Sequence, residues 1–299
     1  MNSAKHRRKA NSVALALAIV ATACHSDVSK GAPPVSGQPV SIGRFRLALP
    51  EGLVIAGREQ IVYAVKVWTT PALWQSRLEE LGPRVKSKPD LGDGINAVWY
   101  EERSVQLLEA AKSFGDHSIR LLRDAPDGKE QTAEKLAGNI IRGYHPSTES
   151  GFCIGAGAIR LGPAQVETTR LSLNAPGNPA LEVEFTTQTV TTPDTKQYMD
   201  TNEEREVMAE LKGRLTVFRE ARRVVAGMEG MEIHLSMAPP GEPEIIRYTW
   251  HFPGVPGDGT QPRINLVAFT SPARRAELTA IWETLLALLT KVPAGEKVK

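Results

Sequence analysis

The sequence predicts an α+β protein of two domains, each an antiparallel sheet packed by about two helices, behind a lipoprotein signal and a flexible tether. Three observations predict it. Apolar residues recur with period two in short runs separated by Pro and Gly loops, as antiparallel strands require. Two stretches in each half show helical spacing instead, with start and stop signals at their ends. The 299 residues, 41% hydrophobic and 23% charged, suffice for two cores and exclude a disordered chain, and the 25 Gly and 21 Pro follow no collagen period.

The first element is a leader. Lys5, Arg7, Arg8 and Lys9 precede an uncharged run over 13–23, too short for the roughly 20 apolar residues that cross a bilayer and followed by Asp27 and Lys30. Its end, Ala21-Thr22-Ala23-Cys24, reads as a lipobox in which Cys24 is acylated and becomes the N-terminus; cleavage with an unmodified Cys24 is the alternative. Residues 1–24 are then signal and 25–41 a Gly- and Pro-containing tether. Without the four leader cations, 32 basic side chains face 34 acidic ones, a balance of −2 that offers no basic stripe for nucleic acid. A lipidated Cys24 leaves Cys153 alone, so no intramolecular disulfide is expected; an unlipidated Cys24 would permit a bridge to Cys153.

A domain over 42–147 begins with a strand in which Phe45, Leu47 and Leu49 alternate with Arg46 and Ala48, followed by a second, more apolar strand over 61–68. Thr70-Pro71 opens a helix through Leu73, Trp74, Leu78 and Leu81 to a stop at Gly82-Pro83. Residues 96–112 are ambiguous, strand-like at the start and helix-like over 105–111, and 119–122 suits a strand. Asp127 and Glu130 form a capping-box pattern ahead of Ala133, Leu136, Ala137, Ile140 and Ile141, with Gly143 as the stop.

The pattern restarts in a domain over 148–293, leaving 294–299 as a tail. Strands are expected at 156–161, around Leu171 and Leu173, and around Leu181, Val183 and Phe185. Thr201 and Glu204 cap a helix through Val207, Met208 and Leu211 that closes at Gly213. Further strands follow at 233–237, 248–252 and 264–269, separated by loops at 238–243 and 253–262. A last helix opens at Ser271-Pro272 and carries Leu278, Ile281, Trp282, Leu285, Leu288 and Leu289.

No pattern for catalysis emerges. Gly151-Phe152-Cys153-Ile154-Gly155 has the spacing of a nucleophile elbow, but an elbow needs a strand before and a helix after, and here a loop runs into a strand. Cys153 is expected in the core. No two histidines have metal-ligand spacing, and His234, alternating with Ile233 and Leu235, is expected at the surface of a strand. The pairs Glu101-Glu102 and Glu203-Glu204 suit a solvated strand end and a helix N-terminus. Trp74 and Trp282 lie on apolar helix faces, whereas some of Tyr248, Trp250 and Phe252, or of Thr249 and His251, are free to face a partner. Neither a cofactor nor a metal is expected.

Gly151-Phe152-Cys153-Ile154-Gly155-Ala156-Gly157-Ala158-Ile159-Arg160, Arg222-Arg223-Val224-Val225-Ala226-Gly227-Met228-Glu229-Gly230 and the closing Trp-containing helix together resemble the Tli4 family. The resemblance implies an immunity protein that neutralises a phospholipase effector delivered into the periplasm by a type VI secretion system, gripping it by two domains and blocking substrate access or lid movement. The alternative class is an envelope lipoprotein that binds another envelope component or a small amphiphile; a Cys153 hydrolase is a third. Lipidation implies a periplasmic site of action, and His25 after the cysteine favours the outer membrane over the inner. On this reading the contact surfaces lie in the loops over 190–202, with Tyr198, Met199 and Asp200, and over 253–262, since loops vary to match a partner while the scaffold stays fixed.

Overall fold

The computed structural model describes residues 39–126, 128–160, 166–192, 213–239 and 241–293. The first half supplies β1 (Pro39–Ile42), β2 (Phe45–Ala48), β3 (Val54–Val62), β4 (Val65–Thr70), α1 (Trp74–Leu81), β5 (Val85–Ser87), β6 (Asn96–Glu102), β7 (Val105–Phe114), β8 (His117–Asp124), α2 (Glu130–Arg142) and β9 (Tyr144–His145). The second supplies β10 (Phe152–Ile154), β11 (Gly157–Ile159), β12 (Glu167–Ala175), β13 (Asn178–Gln188), β14 (Leu215–Val225), β15 (Met228–Met237), β16 (Ile245–Phe252), β17 (Arg263–Thr270), α3 (Arg275–Leu288) and β18 (Thr290–Lys291). The α+β class and the antiparallel pairing are those the sequence predicts.

Both halves contribute to one twelve-stranded sheet in the order β14-β15-β16-β17-β13-β12-β3-β4-β8-β7-β6-β5. They meet where β3 pairs with β12, from Glu167 opposite Val62 to Asn174 opposite Val54. A second layer holds two small sheets, β1-β2-β18 and β10-β11-β9. One apolar cluster gathers Leu278, Trp282, Leu285 and Leu286 of α3 with Leu171, Phe185, Trp250 and Leu266 of the large sheet. Another gathers Ala133, Ala137, Ile140 and Ile141 of α2 with Val67, Trp99, Leu108 and Leu121. Chain segments cross between them. Ile42, Phe45 and Leu47 of the first half pack in the α3 cluster, and Phe152, Ile154 and Ile159 of the second pack in the α2 cluster. On the opposite face of the first half, α1 covers Val98 and Tyr100. Strand β1 begins at Pro39, within the segment read as tether.

Several elements differ from the expectation for local reasons. The run over 61–68 is a hairpin rather than one strand, because Tyr63 (φ 53°) and Ala64 (φ 60°) turn the chain between β3 and β4. The ambiguity over 96–112 resolves into two strands, with Arg103 (φ 50°) and Ser104 (φ 64°) as the turn. Left-handed residues at both central positions suit the twist of paired strands and are usually Asn or Gly, so neither turn carried its usual sequence mark. Helix α1 starts a turn later than Thr70-Pro71 suggests: the Thr70 hydroxyl oxygen accepts from the Ala72 N–H at 3.1 Å, and Leu73 is the cap residue. Lys129 precedes α2 without a side-chain cap bond, while Asp127 lies outside the described residues. On α3 the buried stripe includes Leu286, and Leu288 is exposed. The helix expected over 201–213 lies outside the described residues up to 212. Strand β14 had no apolar alternation to reveal it, since residues 216–220 along this sheet edge are all exposed.

Replacing Arg103 and Ser104 together by Asn and Gly relieves two left-handed residues without touching the core, so R103N/S104G is expected to stabilise the fold by roughly 1 kcal/mol, read as a higher midpoint in urea unfolding.

Candidate partner-binding surface

Of the two loops expected to meet a partner, the segment with Tyr198, Met199 and Asp200 lies outside the described residues, and its approach along 190–192 is described. The loop over 253–262, which joins β16 to β17, is fully described and lies beside that approach: the Gly257 N–H donates to the Val190 carbonyl at 2.9 Å. The structure therefore brings the starting point of one expected surface into contact with the other.

The loop is internally braced. Val255 N–H donates to Gln261 O (2.8 Å), Asp258 N–H to Val255 O (3.0 Å) and Gln261 N–H to Asp258 O (3.1 Å). The Asp258 carboxylate accepts from the Thr260 hydroxyl (2.6 Å), the Thr260 N–H (2.8 Å) and the Gln261 amide (3.0 Å), and these bonds, led by that from Thr260, hold its pKa below the usual range. Gly254 has φ 84°, and a Cβ there would sit 2.5 Å from the Arg263 nitrogen, so the entry to the loop admits only glycine. Val190 and Pro262 are buried beneath it, while Pro253, Val255, Pro256 and Gly257 are exposed. An apolar tip on a loop already held in shape loses little conformational freedom on binding.

The sheet beside this loop is tied to α3 by a buried carboxylate that sequence reasoning missed. Glu232 of β15 is fully buried. It accepts from Trp282 Nε1 (2.7 Å) and Arg223 Nη1 (3.1 Å), lies 2.9 Å from His234 Nε2, and pairs with Arg219 at 2.8 Å. Arg223 also forks onto Glu283 of α3 at 3.0 and 2.6 Å. Burial opposes ionisation of Glu232, but the bonds from His234 and Trp282 and the His234 and Arg223 charges outweigh it and hold the pKa down to about 2. His234 is thus not the surface residue expected: it is buried, stacked on Tyr248 with ring centroids 3.6 Å apart. Its partners decide this, since the Glu232-x-His234 spacing puts both side chains on the face covered by α3. Tyr248, Trp250 and Phe252 are buried on that face as well, so the residues of β16 left toward the other side are Thr249, itself buried, and the half-buried His251.

Cys153 lies in β10 between Phe152 and Ile154, fully buried. Its thiol faces the Thr148 carbonyl at 3.5 Å, and burial pushes it up to about 11, which disfavours the thiolate that a nucleophile needs. A turn and strand β11 follow it where an elbow would have a helix. Glu101 stands at a strand end with Lys86 3.4 Å away, and the pair at 203–204 lies outside the described residues. Among the described residues no group of three or more His, Cys, Asp or Glu side chains is placed to hold a metal ion, and no helix is long and apolar enough to cross a membrane. Cys24 also lies outside them.

Residues 146–287 match the family model described as the Tle cognate immunity protein 4 C-terminal domain. Solved structures share the architecture over nearly their whole length. The apo structure of immunity protein TplEi of the type VI secretion system from Pseudomonas aeruginosa is 18% identical with a TM-score of 0.69, covering 86% of this chain and 97% of that one. A crystal structure of a Tle4–Tli4 complex contains a chain 17% identical with the same TM-score, covering 86% and 98%. TplEi bound to an "L" peptide is likewise 17% identical at 0.69, covering 87% and 99%. No curated protein sequence matches significantly.

Two outcomes are expected from these sites. Cys153→Ala should cost roughly 1 kcal/mol, as a small cavity does, with partner binding intact. For Glu232, the folded pKa near 2 lies below the unfolded value of about 4.3, so its stabilisation is complete above about 4.3 and is lost as the pH falls toward 2. Denaturant midpoints should therefore fall over that interval, and Glu232→Gln should flatten the fall.

Proposed function

We propose that the chain, which matches the Tli4 immunity domain over residues 146–287, is an immunity protein of that family that binds and blocks a phospholipase effector delivered into the periplasm by a type VI secretion system, protecting the cell that makes it. The observation that carries the reading is the family match to an immunity domain, and the shared architecture over 86–87% of the chain supports it. Inhibition on this reading is by occlusion. The buried, high-pKa thiol of Cys153 supplies no nucleophile, and the braced loop over 253–262 offers a stiff apolar tip with polar neighbours. Such a tip can fill a partner's groove or hold a lid shut. Tyr198, Met199 and Asp200 are proposed as further contact residues on their sequence character alone, an aromatic and a methionine amid acidic and polar neighbours.

We further propose that Cys24 carries the lipid anchor and that the protein works from the periplasmic face of a membrane, the outer one by preference. An anchored inhibitor meets an arriving lipase at the membrane surface that is its substrate. No small-molecule cofactor enters this function.

The purified protein is expected to inhibit the cognate phospholipase at one-to-one stoichiometry. Alanine at Val255 and Pro256, or at Tyr198 and Met199, should weaken binding without moving the melting temperature. Full lipase activity at saturating protein would reject the immunity function, whereas intact inhibition by the loop variants would reject only the surface. Intact-mass analysis should find a diacylated Cys24 at the mature N-terminus, and Cys24→Ser should release the protein from membranes.

A further inference from the structure

Between the two apolar clusters lies a seam of buried polar groups. Arg44, in the turn between β1 and β2, forks onto Glu167 at the start of β12, with Nε donating at 2.9 Å and Nη2 at 2.5 Å. Both side chains are about 95% or more buried. Gln60 of β3 donates to the Cys153 carbonyl at 2.6 Å. Gly43 and Cys153 exchange backbone bonds, Gly43 N–H to Cys153 O at 2.9 Å and Cys153 N–H to Gly43 O at 2.6 Å. The bridge lies where the cores part: Gly43 and Arg44 stand between Ile42 and Phe45, which enter the α3 cluster, and Cys153 stands between Phe152 and Ile154, which enter the α2 cluster. Thr169, fully buried, closes the gap under Gly43, where a Cβ would come within 2.6 Å of its hydroxyl.

We propose that Arg44, Glu167, Gln60 and the Gly43–Cys153 bridge form a clasp that fixes the angle between the two lobes, one built around the α3 cluster and the other around the α2 cluster, and that partner capture requires the angle so fixed. Within the large sheet the lobes are joined through the pairing of β3 with β12. The twist between neighbouring strands ranges over roughly −10 to −35°, so one pairing leaves the angle loosely set. Apolar contact is non-directional and does not narrow it. A guanidinium–carboxylate fork is directional: this one anchors the turn between β1 and β2 on β12 at the Glu167 end of the β3–β12 pairing, and from that turn the Gly43–Cys153 bridge reaches the second-layer strand that enters the α2 cluster, so the two together oppose rotation about the pairing. An apolar pair of similar volume usually serves stability as well as a buried ion pair, so geometry accounts for this one better than stability does.

The clasp's effect on partner capture rests on the proposed immunity function, whereas its effect on lobe order does not. The test compares the full-length protein with R44M/E167L, which replaces the pair by apolar side chains, and with Arg44→Lys, which keeps the charge but loses the fork. Hydrogen exchange at the Gly43 and Cys153 amides and small-angle scattering read lobe order without any partner, and binding of the phospholipase reads capture. R44M/E167L should stay folded, exchange both amides about tenfold faster, broaden the scattering distance distribution and bind about tenfold more weakly, as when one molecule in ten holds the competent angle. Arg44→Lys should fall between it and wild type, and carries the test alone if the double variant does not fold. Wild-type exchange and scattering in a folded variant would overturn the clasp. Loosened lobes with unchanged affinity would overturn its link to capture. A wild-type protein that does not bind the lipase would reject the immunity function and that link together, with lobe order still decided by exchange.

Discussion

The rest of the structure depends on the pairing of β3 with β12. Each half could bury a core of its own, but each would then end in an open strand edge in the middle of the molecule, and unpaired edges recruit other chains. Pairing β3 with a strand more than a hundred residues away removes both edges and makes one twelve-stranded sheet. The cost is the entropy of closing a long loop, which grows slowly with length. Apolar burial offsets it on both sides of the join, since β3 places Ile55 against the α3 cluster and Val62 in the α2 cluster. Among the described residues, the outer edges of this sheet are unlike. Strand β5 is three residues long, between Pro83 and Pro89, whereas β14 runs for eleven residues and carries Arg219, Glu220, Arg222 and Arg223.

What rests on the large sheet is attached in a repeated way. Helix α1 meets it through Arg77, which donates to the buried Glu109 of β7 at 2.9 Å. Helix α3 meets it through Trp282 and Glu232, and the turn between β1 and β2 through Arg44 and Glu167. Each carboxylate is costly to bury and each is held by a guanidinium, so none is unpaired. Apolar area provides most of the attraction between the layers, and these contacts select the one placement in which every buried charge has its partner. The interior therefore behaves as a rigid frame for the loops at its rim.

If the protein inhibits by covering its partner, as proposed, rigidity at the rim matters more than reactive chemistry. The loop over 253–262 shows how it is obtained: an aspartate collects three hydrogen bonds, a glycine takes a conformation closed to other residues, and a bond to Val190 ties the loop to its neighbour. Exposed apolar residues stay at the tip because the polar groups have turned inward to brace it. This division suits a surface that must match one partner while the sheet beneath it stays constant.

By itself the sequence determined the α+β class, the antiparallel strands with Leu181, Val183 and Phe185 or Ile264 to Phe269, the helix carrying Leu278, Trp282 and Leu285, and the burial of Cys153. These are properties of side-chain periodicity along a few residues, which water reads locally. The tertiary structure alone decided the joining of the halves through β3 and β12, the turns at Tyr63-Ala64 and Arg103-Ser104, the strand character of β14, and the burial of His234. Strand pairing adds hydrogen bonds and cross-strand contacts that outweigh local propensity. A left-handed turn without glycine persists because the strands on either side hold it. A histidine or a glutamate becomes an interior residue when Arg223, Tyr248 and Trp282, far apart in the chain, close around it.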